Sequence, residues 1–218
     1  MVSAPTEIIP RAVEFVLLFL ALPLAFTYVP VRLPAIPALW ALCAYCSVVL
    51  LNDRSFDRRQ LWNTASFWRD AAGMLGLFSV IAVTIAAWMY WYSHDRFLSF
   101  PRANTWFWGV VMILYPVLSV YPQGIIYRAF VFQRYRGLFA TDWGIVAASA
   151  FAFAFVHIVF RNRIALVFTA LGGVLFGLRY LQTKSLFISS FEHALYGCLM
   201  FTVGLGQWFY HGAARIGR

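Results

Sequence analysis

Charged side chains are scarce in this sequence. Asp, Glu, Lys and Arg make up 11% of its 218 residues, whereas a soluble domain carries about 25%. Apolar residues account for 62% and recur in runs of about 20, the length that crosses roughly 30 Å of hydrocarbon as a helix. A soluble globule of this size cannot bury so much apolar surface. We therefore predict an all-α, polytopic transmembrane helical bundle.

Cysteine is also rare, and its placement gives no pattern typical of a zinc site. Cys43 and Cys46 form a CxxC pair inside an apolar run, and there is no second pair to complete a set of ligands. Burial in the core is the expected role, because free Cys behaves as a small hydrophobe.

The few charges are unbalanced, with a formal net charge of +9. Most Lys and Arg residues lie between apolar runs, where they meet anionic lipid head groups and set topology. We therefore expect membrane lipids as partners and no nucleic acid. The longest polar stretch, residues 52–70, also carries aromatic residues and is expected to lie in the membrane interface.

Seven membrane spans are expected, in a single domain over residues 1–218. The fourth, from about Trp106 to as far as Phe132, is too long for a simple crossing. Pro116 and Pro122 are expected to bend it, because proline removes a backbone donor. Glycines in the sixth span permit close helix packing. The predicted spans are residues 12–29, 37–51, 71–92, 106–132, 143–160, 164–181 and 186–205.

Four ionisable residues of the later predicted spans are candidates for a membrane-embedded site: Arg128, His157, Glu192 and His193. Arg179, near the end of the sixth span, is counted with the loop cations that set topology. An ionisable group at mid-bilayer costs at least about 2.5–3.5 kcal/mol, which makes it a candidate functional residue. The alternative is that each residue only bonds a neighbouring helix and ties the bundle together. Because three such clusters occur in one half of the chain, we expect a shared polar site.

Two histidines on separate helices, with a carboxylate nearby, can activate a water molecule. They can hold a divalent metal such as zinc, or the carboxylate can act as general base while the histidines donate hydrogen bonds to the developing oxyanion. Arg128 can hold a carboxylate through a bidentate bond. Helical spacing also places Phe153 and His157 on one stripe, and His193 and Gly197 on one face.

Three segments, in order, resemble the motifs of the CPBP or Abi family of intramembrane endopeptidases, which includes the CAAX prenyl proteases. QGIIYR, from Gln123 to Arg128, is similar to the family pattern EExxxR. FAFVH, ending at His157, is similar to FxxxH, and HALYG, starting at His193, is similar to the third motif. The resemblance covers about residues 105–206, and residues 1–104 look like generic membrane helices.

The resemblance implies a CPBP-type bundle with a water-filled cavity and gives the site residues their roles. His157 and His193 would position the water or the oxyanion, or bind a metal, and Arg128 would orient the site. Three further residues would line the substrate cavity: Phe153, Tyr127 and Gly197.

The chain departs from this family at the two motif glutamates, where it has Gln123 and Gly124. Glutamine can orient a water molecule but cannot take its proton, and glycine can do neither. Loss of a general base costs about 10²- to 10⁴-fold in rate. Three explanations stay open: the protein is an inactive member that still binds membrane peptides, Glu192 supplies the missing carboxylate, or Gly124 is an engineered replacement.

The function that the resemblance implies is cleavage of a membrane-embedded or lipidated protein or peptide by activated water. The expected location is a bacterial inner membrane. The alternative is a non-catalytic membrane protein that serves as a scaffold, a maturation partner or a bacteriocin-immunity factor.

Overall fold

A computed structural model describes residues 5–29 and 34–208, and these residues form helices and connecting turns without a β-strand. Seven helices in the described ranges are long and apolar enough to cross a membrane, which confirms the all-α polytopic fold. They are α1 (Glu7–Tyr28), α2 (Ala35–Asn52), α3 (Phe67–Tyr92), α4 (Thr105–Leu138), α5 (Asp142–Phe160), α6 (Arg163–Thr183) and α7 (Leu186–Val203).

Burial differs strongly between these helices. Half of the apolar window of α7 and 44% of that of α5 are buried within the protein, compared with 11% for α1. The two helices that carry the membrane-embedded histidines are therefore the most enclosed of the seven, while α1 presents most of its surface outward.

Helix α4 is the longest span and departs from regular α geometry in two places. Residues Pro116–Val120 and Ile125–Phe130 are π-helical, and the α-helical stretch Tyr121–Gly124 lies between them. Proline lacks the backbone N–H that a regular turn requires, and a π-turn absorbs such an interruption without ending the helix. The irregularity expected near the two prolines thus takes the form of widened turns in a continuous helix.

Helices α5 and α6 pack closely against each other beside the candidate site that is described below. A Cβ atom at Gly173 would lie 2.8 Å from the Cα atom of Ala150, so only glycine permits this approach, as the glycines of the sixth span predicted. The Ser149 hydroxyl donates to the Tyr127 carbonyl over 2.6 Å and thereby ties α5 to α4.

A second serine bond ties α7 to α6. The Ser189 hydroxyl donates to the Phe176 carbonyl over 2.8 Å. Hydroxyl-to-carbonyl bonds of this kind hold membrane helices together where the hydrophobic effect does not. Helices α4, α5, α6 and α7 are therefore connected by short contacts near the residues that the motifs single out.

The segment between α2 and α3 covers one end of the bundle. It contains the 3₁₀ turn Arg58–Leu61, followed by Trp62, which is 64% exposed and stacks on Tyr121 with 4.8 Å between ring centres. The Tyr121 hydroxyl in turn donates to the Leu61 carbonyl over 3.0 Å. The location of this segment in the membrane interface stays a prediction.

Candidate active site

The ring of Phe153 is the point at which the predicted site residues meet. Its centre lies 4.3 Å from Arg128 Cζ, 4.9 Å from the His157 ring, 5.2 Å from the His193 ring and 5.6 Å from the Tyr127 ring. Both imidazole rings thus lie within 5.2 Å of the same ring centre, which brings the two histidines into one group. Residues from α4, α5 and α7 converge as one cluster.

His157 sits at the end of α5, where the helix tightens into the 3₁₀ turn His157–Phe160. Its Nδ1 lies 2.6 Å from the Phe153 carbonyl oxygen. A carbonyl oxygen can only accept, so Nδ1 must carry the proton of the neutral ring. Nε2 is then left with its lone pair, which makes this atom the basic one of the ring.

His193 is held by aromatic rings. It stacks on Phe176 with 4.6 Å between ring centres and an interplanar angle of 22°, and Phe153 meets it edge-on. Its Nδ1 is buried and has no hydrogen-bond partner among the described residues. A Cβ at Gly197, one turn later, would collide with the Tyr115 ring, which also lies beside His193. Gly197 therefore makes room for Tyr115.

Arg128 lies within the π-helical segment of α4 and is almost fully buried. Its guanidinium is placed over the rings of Phe153 and Phe176, at 4.3 and 5.2 Å from their centres. None of its three side-chain nitrogens has a hydrogen-bond partner within the described ranges. Cation–π attraction is the stabilising contact that this charge has there.

The two positions that match the motif glutamates contain no acid. Gln123 donates from Nε2 to the Ser119 hydroxyl over 2.7 Å, and its Oε1 is buried without a partner among the described residues. A Cβ at Gly124 would lie 2.6 Å from Ser190 Oγ and 3.0 Å from Leu186 Cδ1. Position 124 therefore packs directly on α7, one turn before His193.

Glu192 is paired away from the cluster. Arg179 of α6 donates from Nε to Oε2 over 2.9 Å and from the terminal nitrogen Nη2 to Oε1 over 3.1 Å. The Glu192 side chain is fully buried and both of its oxygens are engaged. Its role as a substitute base stays a prediction, although Arg179 occupies both oxygens in this structure.

Residues 101–199 match the family model of type II CAAX prenyl endopeptidases of the Rce1-like kind. Over this stretch the chain is similar to the Rce1-like family. The resemblance drawn from the three motifs is thereby confirmed, and Arg128, His157 and His193 all lie within the matched residues. Neither the curated proteins nor the solved structures include a match to this chain.

The cluster around Phe153 has too few ligands for a zinc ion. In the described part of the chain, no three His, Cys, Asp or Glu side chains come together in a way that could hold a metal. Zinc sites in enzymes have three protein ligands beside the water, and the third group near the two histidines here is the Arg128 cation. The residues present do not fit a metal centre.

Phe176 is the part of the candidate site that sequence reasoning missed. It contacts both Arg128 and His193, yet it is one of 22 phenylalanines in the chain, and nothing local distinguishes it. Its position in the site follows from its neighbours Gly173 and Gly177, whose small size allows α6 to approach α5 closely.

Proposed function

We propose that this Rce1-like protein is an intramembrane endopeptidase in which His157 replaces the absent glutamate as the general base. The supporting observation is the contact between His157 Nδ1 and the Phe153 carbonyl. It fixes the tautomer and leaves Nε2 as a proton acceptor in a cluster that contains no carboxylate.

The reaction is hydrolysis of a peptide bond. Nε2 of His157 takes a proton from water while the water oxygen attacks the scissile carbonyl carbon. The developing oxyanion is stabilised by an N–H of His193 and by the positive charge of Arg128, both of which act in a site with little water. When the tetrahedral intermediate collapses, His157 returns its proton to the leaving amine nitrogen.

The substrate that we propose is a membrane-embedded or lipidated protein or peptide, because the site is enclosed by aromatic rings within the spans. The proposed location is a bacterial inner membrane. The small excess of Lys and Arg on the side of the amino terminus, nine against seven, slightly favours a cytoplasmic amino terminus. Without a motif glutamate we expect slow turnover.

The test is cleavage of a fluorogenic membrane peptide by the purified protein in detergent. His157→Ala is expected to abolish cleavage because it removes the base, and His193→Ala to reduce it by about 10²-fold or more because it removes an oxyanion donor. His94→Ala is the matched control, since His94 is an exposed histidine against Tyr90, outside the cluster.

Two results would contradict the proposal. Cleavage that persists unchanged in both site variants would show that the histidines are not involved. Complete absence of cleavage in the wild-type protein, with retained binding of the peptide, would instead indicate the non-catalytic alternative.

A further inference from the structure

Arg128 is a buried cation for which the described residues supply no anion. Its side-chain nitrogens have no hydrogen-bond partner among the described residues, although the residue is only 1% exposed. The faces of Phe153 and Phe176 attract the charge, but they accept none of the hydrogen bonds that a guanidinium loses on leaving water.

Other buried polar atoms on α4 and α7 also have no protein partner. Among the described residues these include His193 Nδ1, Ser190 Oγ and Gln123 Oε1. They belong to α4 and α7 and flank position 124, where the two helices touch. Native proteins leave few such groups, so their concentration here indicates a place where a polar ligand enters.

The protein's own carboxylates do not serve this site. In the family pattern, carboxylates stand four and five residues before the arginine, but here those positions are Gly124 and Gln123. Glu192, the acidic residue next to His193 in the chain, has both oxygens bound to Arg179. Because neither motif glutamate is present, the Arg128 guanidinium is free to bind the anion of an external ligand.

We propose that Arg128 binds the carboxylate of an external ligand that has an apolar body. A guanidinium matches a carboxylate through two parallel hydrogen bonds, and the Phe153 and Phe176 rings suit an apolar chain attached to it. The carboxylate can come from the carboxyl terminus of a membrane peptide or from a free fatty acid. This inference rests on the proposed function for the identity of the site, but it concerns binding and not hydrolysis.

The test is native mass spectrometry of the purified protein in detergent with two pairs of probes. The first pair is a short apolar peptide with a free carboxyl terminus and the same peptide as its amide. The second is palmitate and palmityl alcohol. A charge-assisted bidentate bond is expected to make an acid bind about 10- to 100-fold more tightly than its neutral partner.

A matched pair of variants tests whether Arg128 binds the carboxylate, while the arginine itself is kept. Gly124→Glu combined with Ser190→Ala provides an internal carboxylate one turn before Arg128, and the serine change removes the hydroxyl that lies 2.6 Å from the new Cβ. Gly124→Gln with Ser190→Ala has the same shape but no charge. The Glu variant is expected to lose at least about 10-fold in affinity relative to the Gln variant.

The outcomes are distinct. Preference for the peptide acid supports a peptide terminus as the ligand, and preference for palmitate supports a fatty acid. Equal binding of acids and neutral partners, or equal binding by the Glu and Gln variants, overturns the proposal. Binding and cleavage are measured in separate assays, so a protein that binds carboxylates in this test but cleaves no peptide in the other would refute the peptidase function alone.

Discussion

The ion pair between Arg179 and Glu192 predicts the effect of replacing Glu192 by glutamine. Removing one partner of a buried pair costs about 3–5 kcal/mol, because the other charge stays buried without compensation. The Glu192 side chain is fully buried, but that of Arg179 is 16% exposed and can reach some water. We therefore expect a loss near the lower end, about 3 kcal/mol, which lowers the unfolding temperature by roughly 6–12 °C for a chain of this size.

The assay is thermal unfolding in detergent of Glu192→Gln, Arg179→Met and the double variant. The double variant is expected to recover part of the loss, because it leaves no uncompensated charge. Glu14→Gln is the control: Glu14 pairs with Arg134 over 2.9 Å, but that arginine is 38% exposed. Its loss should stay below about 1 kcal/mol.

Two results would refute the reasoning. An unchanged unfolding temperature for Glu192→Gln would mean that the pair does not stabilise the bundle. Retained stability with loss of cleavage by about 10²-fold or more would identify Glu192 as the base after all. A stability loss with unchanged cleavage per folded molecule is the outcome that we expect.

Two further predictions concern α4 and α6. Gln123→Glu places a carboxylate of the same size beside the Ser119 hydroxyl and should raise the cleavage rate by about 10²- to 10⁴-fold, whereas Gln123→Met should not raise it. Gly173→Ala forces a Cβ to within 2.8 Å of Ala150 Cα and should cost about 1–3 kcal/mol of stability. Gly109→Ala, at which no atom lies within 4 Å, should leave the unfolding temperature unchanged or slightly higher, and equal shifts in the two variants would contradict the packing argument.

The sequence was sufficient to predict the seven spans and the convergence of three motifs. The length of an apolar run matches the thickness of the membrane that it must cross. An ionisable residue within such a run has a high free-energy cost, so its presence indicates a functional or structural role. Helical periodicity also placed Phe153 on the same stripe as His157, and the ring of Phe153 does contact His157, His193 and Arg128.

The partners of the individual side chains could not be predicted in the same way. Glu192 and His193 are neighbours in sequence but point about 100° apart on a helix, and which helix each one meets depends on packing across the whole bundle. Arg179 looked like a topology-setting residue near a loop, yet it binds Glu192. Phe176 has no local signal, because its importance comes only from the two groups that it touches.

The widened turn of α4 has a consequence for the spacing of the motif that it contains. In a regular α-helix, two residues five apart point in directions that differ by about 140°, which would turn position 123 away from Arg128. A π-helical turn, bonded from residue i to i+5, brings residues five apart towards one side. Because Ile125–Phe130 is π-helical, we expect positions 123 and 128 to differ in direction by less than they would in a regular α-helix. An acid introduced at position 123 is therefore expected to point more nearly towards the Arg128 guanidinium than α-helical spacing would allow.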